Sequence, residues 1–397
     1  MAVKNETGPQ QAAEKKEICA ETFIFLAVFV VFFMVFVSRM GMMNTINTLM
    51  NTAYALLIDT VLYLTALCVL MGAISELLSE FGVVSLANRL LNPLMVPLYG
   101  LPGAASVGVV TTFLSDNPAI LALADNQYFK SLFKKYQFPA LTNLGTSFGM
   151  GLVVCTYMLS LSNISKVSYS LAVLVGLLGA TIGSIVSTRI MLHFTAKTFG
   201  REEEMVPHAL DASLKHNHMR PIRPGHTSTR FLGALLDGGA SGVKMGVSII
   251  PGVLIICTIV MMLTNGPSAD GSYTGAAYEG IRLLPYLADK CSVVLDPLFG
   301  FSSPEAIGVP ITALGAAGAA TSMAAQLVTS GLVNAGDIAV FTAMCMCWSG
   351  YLSTHVSMMN SLDCNQLINK AIVSHTIGGL CAGVAAHWIY VLLSMVL

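Results

Sequence analysis

Apolar and polar positions fall along this chain in long blocks, not at the short spacing of a soluble helix or strand. No polar residue occurs from Phe23 to Val37. Because about 20 apolar residues cross roughly 30 Å of hydrocarbon, this run predicts a first membrane span. Further spans are predicted at 53–81, 138–161, from about 167 to Arg189, at 238–263, 338–358 and 372–397. The second ends on Glu76 and Glu80, which should sit at a membrane surface. Two amphipathic stretches, 83–99 and 278–299, carry charges and prolines that predict helices lying along the interface.

Two apolar stretches are too interrupted to be ordinary spans. The first, 101–124, reads LPGAASVGVVTTFLSDNPAILALA, with Ser115, Asp116, Asn117 and Pro118 at its middle. Each arm holds about 7 to 12 residues, or roughly 10 to 18 Å of helix, and so reaches about the midplane. The reading is a re-entrant hairpin with a polar tip, since irregular backbone survives at depth only where protein or a water-filled cavity covers it. A kinked helix turning its polar residues toward neighbours is the alternative. Pro118 suits the first turn of the returning arm, with Ser115 or Asp116 as its cap. The second stretch, 303–330, is softened in the same way at Gly315 and Gly318.

Laid together, the halves repeat. NPLMVPLYGLPGAASVG starts at Asn92 and DPLFGFSSPEAIGVP at Asp296, so that Pro93 matches Pro297. Three spans separate the copies, and an odd number turns the second copy over. Interrupted segments at corresponding places in inverted halves point to a transport site. The expected architecture is an all-α polytopic membrane protein of about seven transmembrane helices and two re-entrant hairpins in two inverted repeats. Its parts are a disordered cytoplasmic tail (1–18), a peripheral first helix and loop (19–50), a first repeat (51–194), a cytoplasmic loop (195–230) and a second repeat (231–397).

Composition agrees. Hydrophobic residues make up 55% of the 397 and charged ones 10%, against about 25% charged in a soluble domain. Mean hydropathy is +0.73. A net charge of -1 says nothing about partners, and no feature points to nucleic acid. Lys197, Arg201, Lys215, Arg220, Arg223 and Arg230 place the 195–230 loop in the cytoplasm, and the N-terminus with it. His208, His216, His218 and His226 also fall here, at no metal-ligand spacing. The nine cysteines read as small apolar residues, Cys345 and Cys347 among them, with neither a disulfide framework nor a zinc site suggested.

The quoted runs carry a resemblance. SDNPAILALAD, KYQFPALTNLGTSFGMGL and the DPL-then-SPEAIG run resemble the nucleoside-recognition, or Gate, domain, over roughly 51–397. That domain is shared by concentrative nucleoside transporters, spore-maturation membrane proteins and ferrous-iron permeases. The chain is most similar to YjiH/YjiG-type proteins, with the two chains of that pair fused. The resemblance implies a central site between the hairpin tips and the polar-interrupted spans. Matching positions are Ser115, Asp116 and Asn117 at the first tip, with Asn143 and Thr146 beside it. In the second half they are Ser303, Glu305, Thr321, Ser322 and Gln326, then Ser353, Thr354 and His355 in the sixth span.

An ionisable group within a span costs at least about 2.5 kcal/mol, so Asp116, Glu305 and His355 are functional candidates. Helix capping is the plainer reading of the two acids, and an interhelical hydrogen bond that of the histidine. Asp59, His375 and His387 rank lower, each explained by an interfacial position. Each acid is unique to its half, so the site cannot be chemically symmetric. No nucleophile elbow, HExxH, P-loop or metal spacing points to an enzyme, and no cofactor is implied. The first expectation is a secondary transporter of a small polar organic solute (a nucleoside, amino acid or short peptide). It would work by Na⁺ or H⁺ symport in a bacterial inner membrane, a Na⁺ site falling near Asp116 and Asn117. Helix N-termini at the tips would suit an anionic or zwitterionic solute. The alternative is a non-transporting assembly or regulatory component. Small-residue spacings at Gly315/Ala319 and Gly379/Gly383 allow close helix contact, within the chain or in a homo-oligomer.

Overall fold

The computed structural model describes residues 16–117, 119–120, 127–205, 222–268 and 270–396. Pro118 and 121–126 of the returning arm expected in the first hairpin, His208, Lys215, His216, His218, Arg220, Leu397 and the tail expected at 1–18, up to residue 15, lie outside the described residues. Among the described residues the regular structure is helical, with one isolated antiparallel bridge between Lys134 and Glu204.

Helix α1, Ala20–Met40, leaves most of its apolar side chains exposed, as a peripheral helix facing lipid must. Gly41, at φ 78, breaks it from α2, Met42–Glu80. At 39 residues, α2 is roughly 58 Å long and exceeds the bilayer. The segment 42–52, expected as a loop, is its first part. It is helical because Asn44, Thr48, Asn51 and Thr52 form one polar stripe. Asn44 and Asn51 donate to the carbonyls of Tyr273 (2.8 Å) and Gly275 (2.7 Å), and Thr52 accepts from the Tyr278 amide (2.8 Å).

The loop they bind, 265–282, is built around Glu279. This buried carboxylate accepts from the hydroxyls of Ser268 (2.6 Å) and Thr274 (2.8 Å) and the amide of Gly275 (2.9 Å). Burial pushes its pKa up, but the hydrogen bonds outweigh that and hold it below the ordinary carboxylate value. This end of the molecule is called the Glu279 side. The opposite end carries Arg223, which pairs with Glu76, Glu80 and Asp237, and Arg230, which pairs with Glu80. It also carries the pairs Lys134–Glu202 and Lys135–Glu203.

After α2 the chain runs through α3, Val83–Leu94, into a wide turn ending at Gly100, φ 73. The hairpin arm α4, Ala105–Leu114, follows. Next come α5, Ala140–Thr146, and α6, Gly151–Ser160, then α7, Ser170–Phe199. The second half repeats this order. Its elements are α8, Thr227–Thr264, then α9, Leu283–Lys290, and α10, Ser292–Phe299, ending at Gly300, φ 59. The hairpin arms α11, Gly308–Ala313, and α12, Ala317–Thr329, lead to α13, Ala335–Trp348, α14, Tyr351–Ser361, and α15, Ile368–Ser394.

Six helical stretches among the described residues are long and apolar enough to cross a membrane: α1, α2, 140–165, α7, α8 and 365–394. The span expected at 338–358 is divided at Ser349–Gly350 into α13 and α14. Together these have 14 and 11 residues, roughly 37 Å of helix, which is enough to cross in two pieces.

Corresponding elements pack on one another, as two inverted repeats require. Helix α2 crosses α8, and a Cβ added at Gly72 or Gly242 would strike the facing backbone. Helix α7 crosses α15 in the same manner at Gly183 and Gly378. Only glycine permits these approaches. The ends of α3 and α10 are held alike. Arg189 of α7 donates to Pro97 (2.6 Å) and Leu98 (2.8 Å) carbonyls, and Trp388 of α15 donates to Pro297 (3.1 Å). The small-residue pairs are used within the chain: Gly379 faces Trp348, Gly383 faces Met344, and Gly315 faces Ile256.

Candidate functional site

Two spans are interrupted at the centre. Helices α5 and α6 are separated by Ser147–Met150, and α13 and α14 by Ser349–Gly350. Met150 at φ 54 and Ser349 at φ 30 are non-glycine residues in the left-handed region. Such backbone costs about 1 to 3 kcal/mol and is kept only where the surroundings enforce it. The enforcement is visible. Each break bonds the hairpin of its own half: the Met150 amide donates to Ser115 O (3.1 Å), and the Gly350 amide donates to Ala313 O (2.9 Å). The breaks also meet each other. Ser349 Oγ donates to Gly149 O at 3.3 Å, and Cys347 Sγ lies 3.8 Å from Ser147 Oγ. Both pairs are 200 residues apart in sequence, so a twofold relation passes between them.

The sequence candidates distribute unevenly about this centre. Asn117 is fully buried and binds both halves, its amide donating to Ser349 O at 2.7 Å. Its Oδ1 has no hydrogen-bond partner among the described residues. Gly149 approaches so closely that a Cβ there would collide with the Asn117 amide. Asp116 is not drawn in: its Oδ1 accepts the Asn117 amide at 2.7 Å. Ser115 contributes its carbonyl. Thr146 is buried with its hydroxyl unpartnered among the described residues, and the Ser303 hydroxyl is in the same state. Glu305 lies at the start of its hairpin, away from the tip, ion-paired with Arg282. Thr321 and Ser322 return their hydroxyls to Gly318 O in their own helix. Ser353 is exposed and Thr354 half-buried, each bonding Gly350 O at 3.3 Å.

On the Arg223 side of the breaks, Asn143 and His355 enter a polar cluster that sequence reasoning only partly reached. Asn143 Nδ2 donates to Ser187 Oγ (3.0 Å) and Ala371 O (3.1 Å). Ser187 Oγ meets His375 Nδ1 at 2.9 Å, and His375 Nε2 meets the Cys347 carbonyl. A carbonyl only accepts, so Nε2 carries the proton. In the neutral ring Nδ1 then accepts from Ser187. The His355 ring lies 4.6 Å from that of His375 and 5.8 Å from Tyr351. It is fully buried, and both its nitrogens lack a partner among the described residues. Tyr351 Oη meets Thr376 Oγ1 at 2.6 Å. Ser187, Tyr351 and Thr376 are the members that sequence reasoning missed, and no local pattern joins them because they lie on three different helices, α7, α14 and α15.

On the Glu279 side the molecule opens into a cavity of about 820 Å³. Its walls are α2, through Asp59 and Tyr63, then α6, through Tyr157 and Ser160, and α12, through Ser322 and Gln326. Asn163, at the end of the 140–165 stretch, and Asn265, in the loop after α8, complete the lining. A chamber of this size holds a small organic solute. The cavity lies on the Glu279 side of the breaks, and the histidine cluster lies on the other.

No protein-family model and no curated protein matches the chain. Solved structures do. A double variant of CNTnw, a concentrative nucleoside transporter, in an outward-facing state is 13% identical, with a TM-score of 0.51, over 82% of this chain and 75% of that one. CNTnw in an inward-facing, substrate-bound state is 14% identical, with a TM-score of 0.49, over 82% and 74%. At such identity the likeness lies in the fold.

Proposed function

We propose that this integral membrane protein is a secondary transporter that moves a small polar organic solute by alternating access, coupled to Na⁺ or H⁺. It would work in a bacterial inner membrane with its N-terminus and Arg223 side in the cytoplasm. One observation carries the reading. Where two hairpins and two broken spans converge, Asn117 Oδ1, Thr146 Oγ1 and both His355 nitrogens are buried without a partner among the described residues. Leaving such a group unpaired costs about 1 to 3 kcal/mol, which a purely structural core would avoid by using apolar residues. A solute or ion bonded to them in part of the cycle accounts for their retention. The inverted repeats supply the motion, since each half can adopt the other's arrangement. The likeness of fold to a nucleoside transporter supports the same reading.

The test is a thermal-shift screen of purified protein against nucleosides, amino acids and dipeptides, each with and without Na⁺ and at two pH values. Bound solute raises stability by RT ln(1 + [L]/Kd). Hits are then followed as uptake into proteoliposomes. Silence across all classes, with no uptake, would leave the assembly reading in place. Labelling of a cysteine placed at Ile222 from the outside only would reverse the topology.

A further inference from the structure

The cavity on the Glu279 side has a one-sided charge balance. Among its described lining residues Asp59 is the one acid, and no Lys, Arg or His is among them. Asp59 is exposed to this space, on the wide turn Leu56–Val61 of α2. Turns of this kind interrupt the regular helix and recur at functional sites. The equivalent turn of α8, Gly252–Cys257, packs against it and carries no ionisable side chain but Cys257. No hydrogen bond or ion pair reaches Asp59 among the described residues. Two cations stand beside the cavity without lining it: the Arg282 side chain lies against Gly266 and is paired with Glu305, and Lys166 lies in the turn past the lining residue Ile164.

The remaining walls suit an organic cation. Tyr63 and Tyr157 meet edge to face with ring centroids 5.7 Å apart, and Tyr278 lines the same chamber. Aromatic faces attract an ammonium group within about 6 Å, most strongly where it is partly desolvated. The amides and hydroxyls of Asn163, Asn265, Gln326 and Ser160 supply neutral hydrogen bonds for the rest of a solute. A bare metal ion would leave most of about 820 Å³ unfilled. An anion would meet the Asp59 carboxylate with no cation among the lining residues, which disfavours it.

Resting on the transport reading above, we propose that the solute carries a positively charged ammonium group, as a free amine or as the amino end of a zwitterion, and that Asp59 is its counter-ion at the cavity. The proposal is tested with matched pairs on the full-length protein in nanodiscs: uridine against 5′-amino-5′-deoxyuridine, and leucine and a Leu-Ala dipeptide against their N-acetyl derivatives. Tetramethylammonium chloride and sodium chloride, at equal concentration, are controls. At least one ammonium compound should raise the melting temperature while its uncharged mate does not. Asp59→Asn should weaken that binding by about tenfold or more, the equivalent of losing about 1.4 kcal/mol, and Asp59→Glu should largely restore it. Because Asp59 is exposed, the Asn variant should fold, which its own melting temperature confirms. Equal shifts from charged and uncharged mates would overturn the proposal, as would full affinity in Asp59→Asn. A shift seen with Na⁺ and no ammonium compound would assign Asp59 to a coupling ion instead. If neutral or anionic solutes bind and ammonium compounds do not, this inference fails and transport stands. If nothing binds, both fail.

Discussion

The two broken spans share a frame and differ in chemistry. Each has a left-handed residue at its break, and each break donates a backbone amide to the hairpin of its own half. The side chains are unlike. The first hairpin tip carries Asn117, and the second passes through Leu314, Gly315 and Ala316. The breaks face one another at a spacing of 200 residues. At that same spacing Asn143 corresponds to Ala343, Thr146 to Met346 and His355 to Cys155. At these three pairs the polar member therefore sits on one side of the twofold relation, toward the Arg223 side. The other side is an open chamber with a single carboxylate. A repeated backbone provides two equivalent conformations, and unequal side chains decide what is bound in each.

Four measurements would break or sharpen that contrast. The largest effects should come from the shared frame. Gly183→Val and Gly242→Val would each drive a side chain into a facing helix backbone, and each should cost about 1 to 3 kcal/mol or more. Thermal unfolding in detergent measures it. Comparable losses in both variants are expected, and a loss confined to one would mean that the halves are not held alike.

Next, the polar half should be the more fragile. Asn143→Ala removes the donor to Ser187 and Ala371 and should lower stability by about 1 to 3 kcal/mol, because buried acceptors lose their partner. Thr342→Ala, near the corresponding position, removes only a hydroxyl bonded to its own helix at Ile338 O. It should cost less than about 1 kcal/mol. Denaturant titration of the pair shows whether the asymmetry is energetic.

Function should separate from stability at the centre. Asn117→Ala loses one hydrogen bond across the halves, worth about 0.5 to 1.5 kcal/mol, yet should abolish uptake. His355→Gln should also abolish uptake while moving the melting temperature little, since the ring has no bond to lose among the described residues. Cys155→Ala, at the matching position, should leave uptake unchanged. Proteoliposome assays decide, and transport that survives both Asn117→Ala and His355→Gln would remove these residues from the site.

The smallest effect concerns pH. Glu279 has its pKa lowered in the folded loop, so the folded state favours the ionised form. That stabilisation is complete above the unfolded carboxyl value of about 4.5 and fades as pH falls through the lower folded value. Hydrogen exchange in 265–282 should accelerate below that point and be flat from pH 6 to 8. In Glu279→Gln the dependence should shrink to the part left by Asp270, whose hydrogen bonds from Ser272 also hold its carboxyl low.

Much of the architecture was legible in the residues. Apolar runs of 15 or more residues, the Gly- and Pro-interrupted stretches and the matched Pro93 and Pro297 suffice for spans, hairpins and an inverted repeat. Those signals are local, because burial in lipid constrains each segment by itself. The polar stripe of 42–52 was legible as a pattern but not as a helix, since the loop that covers it lies some 230 residues away. Asp116 and Glu305 drew attention as charges in apolar surroundings. Only the fold shows that Glu305 already has Arg282, that Asp116 turns to its own neighbour, and that Asn117 reaches the opposite break. Hydropathy determined that this chain is a membrane protein, and the matched proline motifs pointed to two related halves. Which polar groups are left to act was decided by tertiary structure, because a hydrogen bond is satisfied or unsatisfied according to partners that distant segments bring within about 3 Å.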